Sequence, residues 1–391
     1  MTPLPEHLHN LVGQSVAAID TPAAVLDLDA MERNIARMAA FAREHGMRWR
    51  PHAKLHKSAA IALLLEKAGA IGHCVQKTAE AEALAKGGVG DIFISNEVVD
   101  PAKLARVARL AARLAHSGGR LAICVDSAQG IAALAQAMRG APSAEAGIDV
   151  FVEIDVGQGR CGVPPGAAAL PLARAVLEQA PWLRFAGLQA YRGNAQHVRG
   201  IDERRAVMAE VIAQAGRTRD LLEQAGIAVP LVTGSGTGTL IHEAASGVYG
   251  ELQPGSFLFM DADYAANEPD PRQPRFEHAL FIRTQVISRA AGHAVCDAGH
   301  KAHAIDSGLP RLHGLPPARA LGFANGGDEH GVLHPANASG WLPAPGEALW
   351  LVPGHCDPTV NLHDYLVGVR GGLERGVVEQ VLRVDARGAL G

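Results

Sequence analysis

The stretch Asp149-Val-Phe-Val-Glu-Ile-Asp155 is a short run rich in β-branched residues, followed at once by the glycine-bearing segment Val156-Gly-Gln-Gly-Arg-Cys-Gly162. It is one of eight such runs, the others being Ala24–Leu28, Arg48–Lys54, Ile71–Gln76, Asp91–Ser95, Leu121–Val125, Phe185–Tyr191 and Val229–Thr233. Ala-rich segments of helical period separate them, among them Met31–Glu44, Pro101–Leu114, Ser127–Met138 and Asp202–Ala225. Strands alternating with helices spell successive βα units. Eight of them over about 240 residues predict a TIM-type (β/α)8 barrel, with a doubly wound open sheet as the alternative.

Beyond about Tyr264 the texture changes. Asn267-Glu-Pro-Asp-Pro-Arg-Gln-Pro274 reads as a linker, and short strand-like pieces without helical period follow: Leu280–Val286, His293–Asp297, Glu347–Val352, Tyr365–Arg370 and Val377–Val384. Pro- and Gly-containing turns separate these pieces. The expected class is α/β, a TIM-type barrel followed by a C-terminal all-β domain. Its units are an N-terminal segment packing on the β domain (1–22), the barrel (23–265) and the β domain (266–391).

The chain has 391 residues with 36 Lys and Arg against 40 Asp and Glu, a formal charge of −4, which excludes a generally basic nucleic-acid binder. At 48% hydrophobic and 19% charged residues it lies far from the composition of disordered chains. No apolar run approaches the length of a membrane span, and the first residues show no basic-then-apolar leader. The five cysteines are scattered without a CxxC, so a cytoplasmic protein with reduced thiols and no structural zinc is expected.

In a TIM barrel the reactive groups sit at the C-terminal ends of the strands. The second run continues as Arg50-Pro-His-Ala-Lys-Leu-His-Lys57. With period two, His52, Lys54 and His56 point one way, into the barrel mouth. A partly desolvated lysine loses its proton more readily and can form a Schiff base, whereas a lysine at a strand end is otherwise a solvated cation. After the last run comes Thr233-Gly-Ser-Gly-Thr-Gly-Thr239, whose bare backbone amides can converge on an anion, with a following helix N-terminus adding its dipole. No Walker pattern and no GxGxxG after the first run is present. A lysine beside a single-phosphate cradle points to pyridoxal 5′-phosphate, with Arg160 placed to pair with the cofactor's phenolate oxygen.

Several long segments carry a resemblance. Arg50–Lys57, Gln76-Lys-Thr-Ala-Glu-Ala-Glu82, Glu153–Gly162, Glu251-Leu-Gln-Pro-Gly-Ser-Phe-Leu-Phe-Met-Asp-Ala-Asp-Tyr264, Asp297-Ala-Gly299 and Pro353-Gly-His-Cys-Asp-Pro-Thr-Val-Asn361 resemble the D-threonine aldolase family. That family belongs with D-serine dehydratase and alanine racemase among the pyridoxal-phosphate enzymes of the barrel-plus-β-domain fold. The resemblance implies that Lys54 is the lysine joined to the cofactor, and that Gln76 and Arg160 hold its ring oxygen. Tyr191 joins these cofactor contacts, and Ser235, Gly236, Thr237, Gly255, Ser256 and Tyr264 contact the phosphate. It also implies a homodimer whose active sites the partner's β domain completes.

The pair His355 and Asp357 flanks Cys356, and an extended backbone puts both on one face as an N and an O ligand. The resemblance makes them the two protein ligands of a divalent metal, with Mn²⁺ or Mg²⁺ favoured by the carboxylate. His56 is the candidate proton carrier, with cofactor packing as its other reading. One departure stands out. The chain reads Gln189-Ala-Tyr-Arg-Gly193, where D-threonine aldolases look like Gln-Ala-Tyr-His-Gly. A permanently charged Arg192 cannot serve as a base, but it can attract a second carboxylate. The resemblance thus implies a metal-dependent aldolase that cleaves D-threonine and related small D-3-hydroxy-amino acids to glycine and an aldehyde. D-3-hydroxyaspartate aldolase is an alternative, as is a D-serine or 3-hydroxy-D-aspartate dehydratase.

Overall fold

The computed structural model describes residues 4–141, 147–338 and 340–391. Seventeen strands run along the described chain: β1 Ala23–Asp27, β2 Arg48–Trp49, β3 His73–Val75, β4 Asp91–Ile94, β5 Arg120–Val125, β6 Ile148–Glu153, β7 Leu183–Ala190, β8 Val232–Gly234, β9 Glu251–Leu252, β10 Leu280–Arg289, β11 Ala294–Cys296, β12 Arg311–His313, β13 Leu321–Asn325, β14 Gly331–Pro335, β15 Ala348–Val352, β16 Tyr365–Arg370 and β17 Val377–Arg383. Among the described residues no helix is long and apolar enough to cross a membrane.

Eight parallel strands form the barrel in the order β2-β9-β8-β7-β6-β5-β4-β3. The ring closes where His52 bridges Cys74, with the Ala53 amide donating to Cys74 O at 2.8 Å and the Cys74 amide to Pro51 O at 2.9 Å. Helices cover the outside. The helix Pro101–His116 is typical: Asp100 caps it by accepting from the Lys103 amide at 2.9 Å, Pro101 starts it, and Leu104, Val107, Ala108, Ala111 and Leu114 bury one face.

Two strand assignments differ from the sequence reading. The run Ala24–Leu28 is not a barrel strand: β1 pairs antiparallel with β10 and parallel with β16, in the second sheet. The barrel's eighth position is taken by β9, only two residues long and too short to register as a β-branched run. The glycine-rich loop therefore follows the seventh barrel strand, and the Gln253–Ser256 turn follows the eighth. These are the two loops where phosphate sites of such barrels commonly lie.

The second sheet runs β13-β14-β11-β10-β1-β16-β17, with β15 pairing both β10 and β12. Residues 13–19 lie along it: the Gly13 amide donates to Val378 O at 2.8 Å and the Val16 amide to Gly376 O at 2.9 Å. The Pro-rich segment after Asn267 is held against the barrel, with Gln273 donating to Thr237 O at 2.7 Å and Asn267 to Gln196 O at 2.8 Å. One apolar core spans both sheets, joining Met38, Trp49, Leu252 and Phe257 to Ile282, Leu351 and Leu366.

The helix Leu28–Glu44 sits in that shared core, capped by Asp27, which accepts from the Ala30 amide at 3.0 Å. On its buried face Asn34, fully inaccessible, donates to Leu258 O at 3.1 Å and Glu277 O at 2.7 Å and accepts from the Glu277 amide at 2.8 Å. Asn34→Leu keeps the γ-branched shape but strands three backbone groups. It is expected to lower the urea-unfolding free energy by about 3 kcal/mol; a loss under about 0.5 kcal/mol counts against this anchor.

Candidate active site

A cavity of about 310 Å³ opens at the C-terminal ends of the barrel strands. Twelve of the residues singled out from the sequence line it: Lys54, Gln76, Arg160, Tyr191, Ser235, Gly236, Thr237, Gly255, Ser256, Tyr264, His355 and Asp357. His56 and Arg192 are not in the lining.

Lys54 does not lie on an extended strand. The chain turns directly after His52, with the His56 amide donating to Ala53 O at 3.2 Å and the Lys57 amide to the same oxygen at 2.7 Å. Lys54 and His52 consequently face the cavity while His56 turns into the core. There its Nδ1 accepts from the Ser58 amide at 3.1 Å and its ring lies 6.0 Å from that of His73. Lys54 Nζ lies 3.4 Å from Asp357 Oδ2. Burial works against the ammonium, but the Asp357 carboxylate outweighs it, so the Lys54 pKa is raised instead of lowered. Next to it burial holds the His52 pKa well below the usual imidazole range, the nearby Lys54 charge adding to the effect. His52 Nε2 lies 2.9 Å from the Gln76 amide and 3.2 Å from Ser95 Oγ.

Arg160 reaches the opposite wall, 5.8 Å above the Tyr191 ring and 3.9 Å from Glu153 Oε1. Glu153 is only 3% exposed; burial, followed by the Glu97 carboxylate, pushes its pKa up to about 8. The anion cradle is built from the two loops after β8 and β9. Ser235 adopts φ 79°, a strained left-handed conformation for a residue with a Cβ. At Gly236 a Cβ would stand 2.5 Å from Gln196 Oε1, so any larger residue there would displace that buried side chain. Among the described residues the amides of Gly236, Thr237, Gly255 and Ser256 have no acceptor. Four unused amides at a polar cavity fit the phosphate of pyridoxal phosphate. The following helix, Leu240–Ala244, is a single turn, so the backbone amides carry the site.

The extended parity expected of the His-Cys-Asp segment holds only for its first residue. His355 is extended and Asp357 lies in the first turn of the short helix Cys356–Val360. The pair still converges, with His355 Nε2 3.8 Å from Asp357 Oδ1. His355 Nδ1 donates to Asp306 Oδ2 at 2.8 Å, which leaves Nε2 as the acceptor facing Asp357. Asp357 Oδ1 is buried without a hydrogen-bond partner. An oriented imidazole beside an orphaned carboxylate oxygen fits a divalent cation.

Several lining residues escaped the sequence reading. Gln189 and Gln253 form a head-to-head amide pair at 3.0–3.2 Å, Ser95 follows β4, and His197 Nδ1 lies 2.5 Å from Asp263 Oδ2. Ser95, Gln189 and Gln253 stand at barrel-strand ends, the signal that could have found them.

The family of the alanine racemase N-terminal domain matches residues 26–263, and that of the putative serine dehydratase domain residues 279–369. The 3-hydroxy-D-aspartate aldolase of Paracoccus denitrificans (strain Pd 1222) is 45% identical over 97% of this chain and 95% of its own. The chain belongs to the family of D-threonine and 3-hydroxy-D-aspartate aldolases. The D-threonine aldolase of an Arthrobacter species is likewise 45% identical, over 96% of this chain and 95% of its own. The crystal structure of D-threonine aldolase from Filomicrobium marinum superposes with a TM-score of 0.91 at 46% identity, covering 97% of this chain and 99% of that one. The aldolase-family fold thus extends through both sheets, and the cavity described above lies where they meet.

The Glu153 carboxyl sets a pH dependence in this aldolase-family scaffold. Its folded pKa of about 8 stands above the ordinary 4.5. The stability held by the protonated form is therefore complete below about pH 4.5 and lost as pH rises through 8. Glu153→Gln is expected to flatten the fall in urea midpoint between about pH 6 and pH 9; equal falls in both proteins rule out a neutral buried Glu153.

Proposed function

We propose that this chain is a pyridoxal-phosphate-dependent carbon–carbon lyase, assisted by a divalent metal, that cleaves D-3-hydroxy-amino acids such as D-threonine to glycine and an aldehyde. The observation that carries the reading is the meeting of Lys54, an anion cradle and the His355/Asp357 pair in one cavity. Lys54 would hold the cofactor covalently, the amides of the two loops its phosphate, and Arg160 its ring oxygen. His355 and Asp357 would hold Mn²⁺ or Mg²⁺. When bound, the cofactor supplies an electron sink at Cα and the cation a Lewis acid.

The protein's own part is positioning. A 3-hydroxy-amino acid carries its nitrogen and its hydroxyl on adjacent carbons, and the 3.4 Å approach of Lys54 Nζ to Asp357 Oδ2 puts matching groups side by side. His52, kept neutral by burial, and Gln76 fix the wall beside Lys54 without adding charge. The D configuration rests on the family. The reading includes a cytoplasmic homodimer, for which exposed Ile305 and Leu309, on the same loop as Asp306, offer apolar surface.

Product analysis with D-threonine tests the proposal. Glycine and acetaldehyde are expected, with activity abolished by EDTA and restored by Mn²⁺. Keto acid and ammonia would make the chain a dehydratase, and cleavage indifferent to the chelator would remove the metal from the scheme.

A second substrate is favoured by Arg192. Its Nε donates to Asn194 Oδ1 at 3.0 Å, and Asn194 itself lines the cavity. Among the described residues its terminal nitrogens have no acceptor, so the guanidinium is free to receive the second carboxylate of a 3-hydroxy-D-aspartate. Arg192→His is expected to shift the kcat/KM ratio of D-3-hydroxyaspartate to D-threonine toward D-threonine by about tenfold or more; an unchanged ratio sinks the carboxylate role.

A further inference from the structure

Behind the cradle, on the side away from the cavity, lies an acidic side chain with no role in the reading above. Glu243 is 2% exposed. Its Oε1 accepts from Thr239 Oγ1 at 2.8 Å, and its Oε2 is buried with no partner. Thr239 Oγ1 in turn accepts from Gln196 Nε2 at 2.9 Å, and Gln196 Oε1 accepts from the Gly238 amide at 2.9 Å. The chain Glu243–Thr239–Gln196–Gly238 thus fixes the glycine-rich loop from behind, and the end of the Gln196 side chain packs directly against Gly236.

We infer that Glu243 is the positioning residue of the phosphate cradle, working as an uncharged carboxylic acid that braces the Ser235–Thr239 loop and keeps a second negative charge away from a bound phosphate ester. The inference rests on reading the cradle as a phosphate site. An ionised Glu243 would be a buried carboxylate with an orphaned oxygen, close behind amides that must receive a dianion, an arrangement unfavourable on both counts. Among the described residues the titratable groups that interact with it are the phenols of Tyr249 and Tyr191, and no cation does. Burial pushes its pKa up to about 8, partly offset by the hydrogen bond from Thr239. The acid form therefore prevails at neutral pH, and the brace becomes anionic as pH rises through 8.

The test is binding of pyridoxine 5′-phosphate, which has no aldehyde and cannot condense with Lys54, to the full-length chain freed of cofactor. For the wild type, Kd is expected to rise about tenfold between pH 7 and pH 9, as for a site that needs one proton retained near pH 8. Glu243→Gln, which keeps the shape and an oxygen that accepts from Thr239 but cannot ionise, should bind with a Kd nearly independent of pH over that range. Glu243→Ala should bind weakly at both. Equal pH slopes for wild type and Glu243→Gln overturn the inference, as does an unchanged Kd in Glu243→Ala, while the phosphate reading of the cradle survives. Failure of the wild type to bind the ester at any pH overturns that reading and this inference with it.

Discussion

Asp261 accepts hydrogen bonds from two amides on either side of the cavity rim, Tyr264 N at 2.9 Å and Cys356 N at 3.0 Å. Beside it the Ala262 amide donates to Pro353 O at 3.0 Å, the Asp263 amide to Gly354 O at 3.2 Å, and Cys356 Sγ to Met260 O at 3.3 Å. This short seam ties the end of the barrel to the loop after β15. Everything chemical in the cavity depends on it. The barrel alone supplies Lys54, Arg160 and the cradle, but His355 and Asp357 come from the second sheet and reach Lys54 only because the seam holds residues 353–356 over the mouth. Asp261 is fully buried, and burial raises its pKa to about 6, opposed by the two amides it serves. The carboxylate is kept at a site of high desolvation cost because it satisfies two backbone donors at once.

The seam is stiff because the two sheets do not have separate cores. β1 leaves the barrel sequence to become an inner strand of the second sheet, and the helix that follows it packs back toward the barrel through Met31, Ile35, Met38 and Phe41. Sliding one sheet against the other would expose the large side chains that join them. Each contributes about 1.5–3 kcal/mol by burial. Arg50, just after β2, pairs with Glu251 of β9 at 3.2 Å and, across β3, with Asp91 of β4 at 2.6 Å, bracing the ring where the two-residue strands leave few ladder bonds.

The alternation of strands and helices was legible because buried parallel strands and amphipathic helices have different periods, and β3 to β8 each overlap a run that the pattern marks, with ends one or two residues off in four of them. Sheet membership was not. Five residues of Ala-Ala-Val-Leu-Asp fit a barrel strand or β1 equally well, since only the distant partners Phe281 and Val367 decide. β9 carries one hydrophobic residue and one acidic one, no pattern at all. In the second sheet β12, β13 and β14 went unread, being short and mostly half exposed. The glycine-rich loop was legible for a different reason, since runs of glycine mark close backbone approaches: Gly236 and Gly255 leave bare backbone at the cavity, while Gly234 and Gly238 are glycine where a Cβ would meet Ala190 O and Gln196 O. The Gln189–Gln253 pair and the Asp306 support of His355 leave no such trace, because a polar residue's partner is set by the fold and not by spacing.

Period-two reasoning broke down in two places, and both hold chemistry. Extending the strand through Lys57 would have aimed Lys54 and His56 together into the mouth. The chain turns instead, and Lys57 takes φ 51°, a conformation costing about 1–2 kcal/mol for a residue with a Cβ. What offsets it is visible: Lys57 Nζ meets Glu80 at 2.6 Å in a buried pair, and the Lys57 amide closes the turn on Ala53 O. The turn sends His56 into the core, leaving Lys54 beside the neutral His52 and within reach of Asp357. At His355 the strand-like backbone gives way after one residue to a helical turn, closed by Thr359 Oγ1 donating to His355 O at 2.6 Å. Regular periodicity arranges residues for burial in one direction; bringing a lysine and a carboxylate from different sheets to the same few ångströms requires leaving it.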